Sequence, residues 1–308
     1  MNYRKGTISI ITPCHNSEGY VGRLLESVLS QDYPSVEMIA VDDESADGTA
    51  GVIESYVSRF AARGYSLRCI RQPHGGQSGA INRALKLVSG EYLVWPDSDD
   101  YYSEKDSLSK LVAALSATGE DVGMSRCLPE YVGEDLRPLP PGEGVPKCYG
   151  MDKEWLFYDA IWGSCGFWYL SGGYMVKMSC LDRCIEGRGI AHAEHAGQSW
   201  QLLLPVLYGH RCVTVREPLL TVVVRQNSHS RSYYSDYRSL MMKHRDFKHV
   251  LLSTIRSIKG IGNEERVELE QMVENYYSRE YLKTKLRYRY HLPEKVVRRL
   301  LRLKIRLC

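Results

Sequence analysis

Across the first 125 residues, short β-branched runs alternate with amphipathic stripes, and this alternation limits the fold more than any other feature of the chain. Thr7–Thr12 reads as a strand, followed by a helix with Val21, Leu24, Leu25, Val28 and Leu29 on one stripe. Val36–Val41 is a second strand and Leu67–Ile70 a third, with a helix between them carrying Val52, Ile53, Tyr56, Val57 and Phe60. Helix Gly79–Val88, strand Tyr92–Trp95, helix Ser107–Ala117 and strand Val122–Ser125 complete the series. Strands and helices of these lengths in strict alternation form βαβ units, so an α/β class with a mainly parallel sheet, covered by helices on both faces, is expected. Beyond it the pattern loosens. Leu128–Gly150 reads as a Pro- and Gly-rich loop, and 197–208 as a helix followed by two strand-like runs, Cys212–Arg216 and Leu219–Val224. From Tyr237 onward the chain reads as helical, with Pro293 the clear interruption.

In open α/β sheets ligands bind at the carboxyl ends of the parallel strands. Here those ends are Thr12-Pro13, Asp42-Asp43 and Asp97-Ser98-Asp99-Asp100. Carboxylates gathered there cannot be desolvated unpaired, because each costs several kcal/mol. A divalent cation resolves the conflict: Asp-x-Asp supplies hard oxygen ligands suited to Mg²⁺ or Mn²⁺, and the bound ion in turn takes a diphosphate. The chain contains no Gly-Lys dipeptide, which excludes a Walker A loop, and no Gly-x-Gly-x-x-Gly follows the first strand, which disfavours a dinucleotide fold. A nucleotidyltransferase would need a Gly-rich, basic phosphate loop that Thr12–Ser17 does not offer.

With 308 residues, 44% hydrophobic and 25% charged, the chain can bury a large core without disulfides. Nine cysteines without a Cys-x-x-Cys pair point to a reducing compartment. Cys180 and Cys184 stand one helical turn apart with no His–Cys cluster beside them in sequence, and read as small buried hydrophobes. Met1–Gly6 is polar, Ile8–Ile11 is too short for a signal core, and no apolar run reaches the length of a membrane span. A cytoplasmic protein is expected. Its net charge of +3 conceals an imbalance: residues 236–308 carry 18 Lys and Arg against 9 Asp and Glu. A basic extension on an acidic body calls for an anionic partner at that end.

Four segments come in order and carry a family resemblance. They are Ile10–Asn16, Gln31-Asp32-Tyr33-Pro34, Val41–Thr49 and Gly90–Asp100. Together they resemble the nucleotide-sugar-binding half of family 2 glycosyltransferases with the GT-A fold, a Rossmann-like architecture. The resemblance implies a glycosyltransferase domain over 1–235, with a donor half at 1–125 and an acceptor half at 126–235, and a helical basic extension over 236–308. It also implies donor contacts from Thr12, Pro13, Asp42, Asp43, Asn82, Asp97, Ser98 and Arg225, and a Mn²⁺ or Mg²⁺ ion on Asp99 with His229 as a further ligand.

In the acceptor half, Gly197–Pro205 resembles a polysaccharide-transferase variant of the segment that supplies the family's catalytic base, but Gln198 stands where the carboxylate belongs. An amide cannot take a proton from an acceptor hydroxyl near neutral pH. Glu194 and His195 are the nearest substitutes. The alternative is a protein that binds donor but is catalytically impaired. Trp162, Trp168 and Trp200 are candidates to stack on acceptor sugar rings or to pack in the core. In Glu294–Leu307, apolar residues on one side face a basic remainder, which fits either an anionic membrane surface or packing on protein. Nucleic acid ranks lower, since no recognised module accompanies the charge. The expected activity is inverting, metal-dependent transfer from a UDP-linked sugar to a saccharide or lipid-linked glycan at the inner face of the membrane.

Overall fold

A computed structural model describes residues 3–117, 119–140, 151–185, 187–193, 199–225 and 236–305. Its centre is an eight-stranded sheet: β1 (Arg4–Cys14), β2 (Val36–Asp43), β3 (Ser66–Gln72), β4 (Gly90–Val94), β5 (Tyr101–Tyr102), β6 (Val122–Gly133), β7 (Tyr174–Lys177) and β8 (Arg211–Val224). The spatial order is β3-β2-β1-β4-β7-β6-β8-β5. The first four strands pair in parallel, and β7 runs antiparallel between β4 and β6. Every residue of β2 is buried, as expected for a central parallel strand covered on both faces. The chain builds outward from β1 through β2 to β3, then returns to place β4 on β1's other side. That reversal makes the carboxyl ends of β1 and β4 the topological switch point.

The early helices are α1 (Val21–Leu29), α2 (Thr49–Ala62), α3 (Gly76–Leu85) and α4 (Ser107–Ala117). They form where the apolar spacing predicts, and α1 buries Val21, Leu24, Leu25 and Val28. The second half adds α5 (Phe157–Trp162), α6 (Met178–Cys184) and α7 (Ser199–Gly209), then α8 (Tyr237–Ser257), α9 (Asn263–Thr284), a π-helical turn (Lys285–Arg289) and α10 (Glu294–Ile305). Asp236 and Ser239 close a capping box at the start of α8. Val250, Leu251 and Ile255 of α8 join the same apolar core as Ile8, Ile10 and Ile11 of β1. Among the described residues no helix is long and apolar enough to cross a membrane.

The structure corrects three sequence expectations. Leu128–Gly133 is not loop: it continues β6 and pairs with Pro218–Val224. The two runs after α7 are one strand, β8, in which register shifts absorb Pro218. The C-terminal region breaks before Pro293 as well, between α8 and α9, where Gly260 takes φ +85°.

Candidate functional site

At the end of β1, Thr12 is completely enclosed, and its buried hydroxyl has no hydrogen-bond partner among the described residues. The exposed surface there comes from Pro13, His15 and Asn16. Asn16 adopts φ +50°, which turns its side chain onto the loop after β2: Oδ1 accepts from the Ala46 N–H at 2.9 Å. Asn tolerates this left-handed conformation better than most residues.

Asp42 and Asp43 close β2, and both are buried. Asp42 accepts from the Ser45 N–H at 3.3 Å. The Asp43 carboxylate accepts from Gln72 Nε2 at 2.7 Å and the Gly75 N–H at 2.8 Å, and lies 3.0 Å from His74 Nδ1. His15 Nδ1 sits 2.8 Å from the Asp43 carbonyl oxygen, and the two imidazole rings are 5.2 Å apart. One ligand atom each from His15, Asp43 and His74 falls within a 4.8 Å cluster, a donor set chemically able to hold a transition-metal ion.

After β4 the chain passes through buried Trp95 into the acidic turn. Asp97 accepts from Gln77 Nε2 at 3.2 Å, and Ser98 donates to Ser17 Oγ at 2.9 Å. Asp100 is buried and accepts from the Val223 N–H at 3.0 Å, which ties the turn to β8. Arg225, just beyond β8, brings Nη2 to 2.5 Å from Asp99 while its guanidinium lies 4.5 Å from the centre of the Tyr20 ring. Arg225 Nε is buried with no hydrogen-bond partner among the described residues. Burial, with the neighbouring Asp99 charge, pushes the Asp97 carboxyl up to about 7, and burial with Asp99 and Asp97 raises Asp100 well above the usual range. One arginine therefore leaves the three carboxylates short of positive charge. A divalent cation on Asp99 and Asp97 would relieve that repulsion, and the oxygen donors fit Mn²⁺ or Mg²⁺.

The second half holds this turn in place. Gly172 lies at φ +79° against Pro96, and Ser171, a neighbour of Asp97, sits 3.3 Å from Ser199 Oγ at the start of α7. Asn82 does not point its amide at the strand ends. It exchanges both hydrogen bonds with the Ile190 backbone, at 2.9 and 2.8 Å, and Gln201 does the same with Ala191. These two amides staple residues 190–191 between α3 and α7. That brings His192 over α3, with Nδ1 2.9 Å from Ser78 Oγ.

Asp97, Ser98, Asp99 and Arg225 are thus assembled at one point, and Asp42 and Asp43 lie at the end of β2. Glu194, His195 and His229 lie outside the described residues, as does Gln198. Tyr20, Gln77, His74 and His192 reach the site without having stood out in the sequence. Elsewhere, His210 comes against the buried Cys pair, its Nδ1 3.9 Å from Cys184 Sγ, a neighbour that sequence spacing did not reveal.

Comparison with known proteins agrees with this architecture. The Staphylococcus aureus poly(ribitol-phosphate) beta-N-acetylglucosaminyltransferase TarS is 35% identical over 116 residues, 37% of this chain and 20% of its own length. A Bacillus spizizenii poly(ribitol-phosphate) beta-glucosyltransferase is 34% identical over 96 residues, 30% of this chain and 15% of its own. The match therefore spans a fifth or less of either relative. Among solved structures, S. aureus TarS 1-349 in complex with UDP-GlcNAc superposes with a TM-score of 0.62 at 20% identity, covering 91% of this chain and 72% of that one. The mannosyltransferase PcManGT from Pyrobaculum calidifontis, in complex with GDP-Man and Mn²⁺, gives 0.59 at 19% identity, covering 97% and 79%. These likenesses establish the fold. A family model described as glycosyl transferase family 2 matches residues 9–166, more than half of the sequence, and the chain belongs to that family.

Proposed function

We propose that the protein transfers a sugar from a nucleotide-diphosphate donor, UDP-linked, to a saccharide or lipid-linked glycan acceptor. The observation that carries this reading is the Asp97–Asp99–Arg225 cluster at the switch point, on the same strand-end surface as Asp43. The relatives add weight: one is named for N-acetylglucosamine transfer, and neighbouring structures hold UDP-GlcNAc or GDP-Man with Mn²⁺.

In this reading Pro13 and Asp43 receive the nucleoside, with Thr12 as the floor beneath them and Asp42 shaping the strand end. Asp97 and Ser98 meet the ribose and diphosphate. Asp99 with Asp97, and His229 as a further ligand, would hold Mn²⁺ or Mg²⁺, which when bound would neutralise charge on the leaving diphosphate. Arg225 exchanges its contact with Asp99 for the diphosphate oxygens. Asn82 acts on the donor indirectly, by fixing 190–191. Glu194 or His195 takes the acceptor proton, and attack opposite the leaving diphosphate inverts the anomeric carbon. The extension supports a place at the inner face of the membrane: α10 packs through Val297 and Leu301 but leaves Val296 and Leu300 exposed among Lys295, Arg298, Arg299 and Arg302.

The test is thermal stability against a panel of nucleotide sugars, each with and without Mn²⁺. A ligand at 100 times its dissociation constant adds about 2.7 kcal/mol. A metal-dependent shift with one UDP-sugar, lost in Asp99→Ala, is expected. The absence of a shift with every nucleotide would overturn the reading. Gln198 motivates one rival, a protein that binds donor without turning it over. That rival predicts the same shift but no transfer to any acceptor.

A further inference from the structure

A cavity of about 230 Å³ opens between α5, α7, α8 and α9, away from the strand ends. Aromatic rings form most of its wall. Trp162 and Tyr276 meet with their rings tilted by 50° at 5.5 Å between ring centres, and Tyr169 meets Trp200 edge to face at 5.4 Å. Lys243 and His244 enter from α8, with Lys243 Nζ 5.6 Å from the centre of the Phe247 ring. The volume is below the roughly 300–1,000 Å³ of pockets for drug-sized ligands, so it suits one ring rather than a chain. Rings with a polar edge, such as Trp and Tyr, cover the C–H face of a sugar while leaving its hydroxyls hydrated. Burial lowers the His244 pKa and its Nε2 lies 3.0 Å from Thr284 Oγ, so Lys243 is the group in this wall that favours a negative substituent.

The cavity is also tied to the carboxylate cluster. Trp200 follows Ser199, whose hydroxyl lies 3.3 Å from that of Ser171, a neighbour of Asp97. The first turn of α7 is therefore shared between the two places. Trp168, the third tryptophan considered from sequence, is elsewhere: it is buried against Arg126 at 3.9 Å and donates to the Cys127 carbonyl.

We infer that this cavity, lined by Trp162, Tyr169, Trp200 and Tyr276 with Lys243 and His244, binds a saccharide ring bearing a phosphate or carboxylate group. Calling that ring part of the acceptor rests on the transferase reading; the binding itself does not.

The experiment is titration of the full chain, with no donor present, followed by tryptophan fluorescence and calorimetry. The probes are glucose 1-phosphate, glucuronate, methyl glucoside and inorganic phosphate. Saturable binding of glucose 1-phosphate or glucuronate is expected, and which of the two binds identifies the anionic group. Lys243→Met should weaken it about tenfold or more, the scale of a lost charged hydrogen bond. Tyr276→Ala, at a ring 43% exposed and so dispensable for folding, should weaken it as well. Neither change should alter the UDP-sugar melting shift. Methyl glucoside or free phosphate binding as tightly as the charged sugars would overturn the inference, and so would unchanged affinity in both variants. Failure of the nucleotide panel alone would leave this binding result standing.

Discussion

Arg225 and Asp99, 126 positions apart in sequence, form an ion pair 2.5 Å long at the mouth of the switch point. The same guanidinium keeps a buried Nε without an acceptor among the described residues, so it has hydrogen-bonding capacity left for a phosphate. Arg225→Met is expected to weaken UDP binding by about ten- to a hundredfold, the equivalent of one charged contact. Calorimetric titration with UDP and Mn²⁺ checks this; an unchanged affinity would count against Arg225 as a diphosphate ligand.

Glu37 is a structural carboxylate at the other end of the sheet. Burial alone would raise its pKa, yet hydrogen bonds from Ser9, from the Ser89 N–H and hydroxyl, and from the Gly90 N–H hold it below the usual value. A lowered folded pKa stabilises the protein above the unfolded pKa of about 4.3 and loses that effect as pH falls through the folded value. Glu37→Gln should therefore cost about 1.5–3 kcal/mol at pH 7. The gap from wild type should narrow below about pH 4.3 in urea unfolding curves. A gap that stays constant down to pH 3 would refute the assignment.

Asn82 both donates to and accepts from the Ile190 backbone. Asn82→Asp keeps the acceptor and sets a carboxylate against the Ile190 carbonyl, a loss of about 1–3 kcal/mol. Hydrogen exchange of the amides at 190–193 should accelerate, while exchange in β2 stays slow. Unaltered protection at 190–193 would show that Gln201 suffices alone.

Gly172 and Gly187 separate backbone strain from steric exclusion. Both have positive φ, at +79° and +69°. A Cβ at 172 would lie 2.8 Å from Pro96 Cα, whereas one at 187 meets nothing within 4 Å. Gly187→Ala should cost only the left-handed penalty of about 1–2 kcal/mol. Gly172→Ala should cost more and, by displacing the turn that carries Asp97, abolish the metal-dependent shift with nucleotide. Equal melting temperatures for the two variants would contradict the contact with Pro96.

The first half of the chain was legible because its signals are local. The apolar cores of β1, β2 and β4 and the acidic residues that end β2 and follow β4 are all written in short local stretches. Much of the rest depends on distant partners. Leu128–Gly133 resembles loop in isolation, with Pro129 inside it, and becomes strand only because β8 offers a hydrogen-bonding edge. Asn82 could not be separated from a ligand-facing amide until Ile190 was seen to occupy both its atoms. Trp162 and Trp200 gain an open face and Trp168 does not, a difference set by α8 and α9, which pack around the first two, and by Arg126 beneath the third. The basic extension was visible as charge, but its buried Val297 and Leu301 follow from packing that no local count records.

Between the Cys127–Val215 and Pro129–Leu220 pairs, β8 contains three more residues than β6. Successive side chains of a strand point to opposite faces, so an odd surplus inverts which face every later residue of β8 presents. Arg225 follows β8 directly, downstream of that inversion. The bend at Pro218 is therefore a phase-setting element, and a single-residue deletion there would aim the guanidinium away from the acidic turn while leaving every residue of that turn in the sequence.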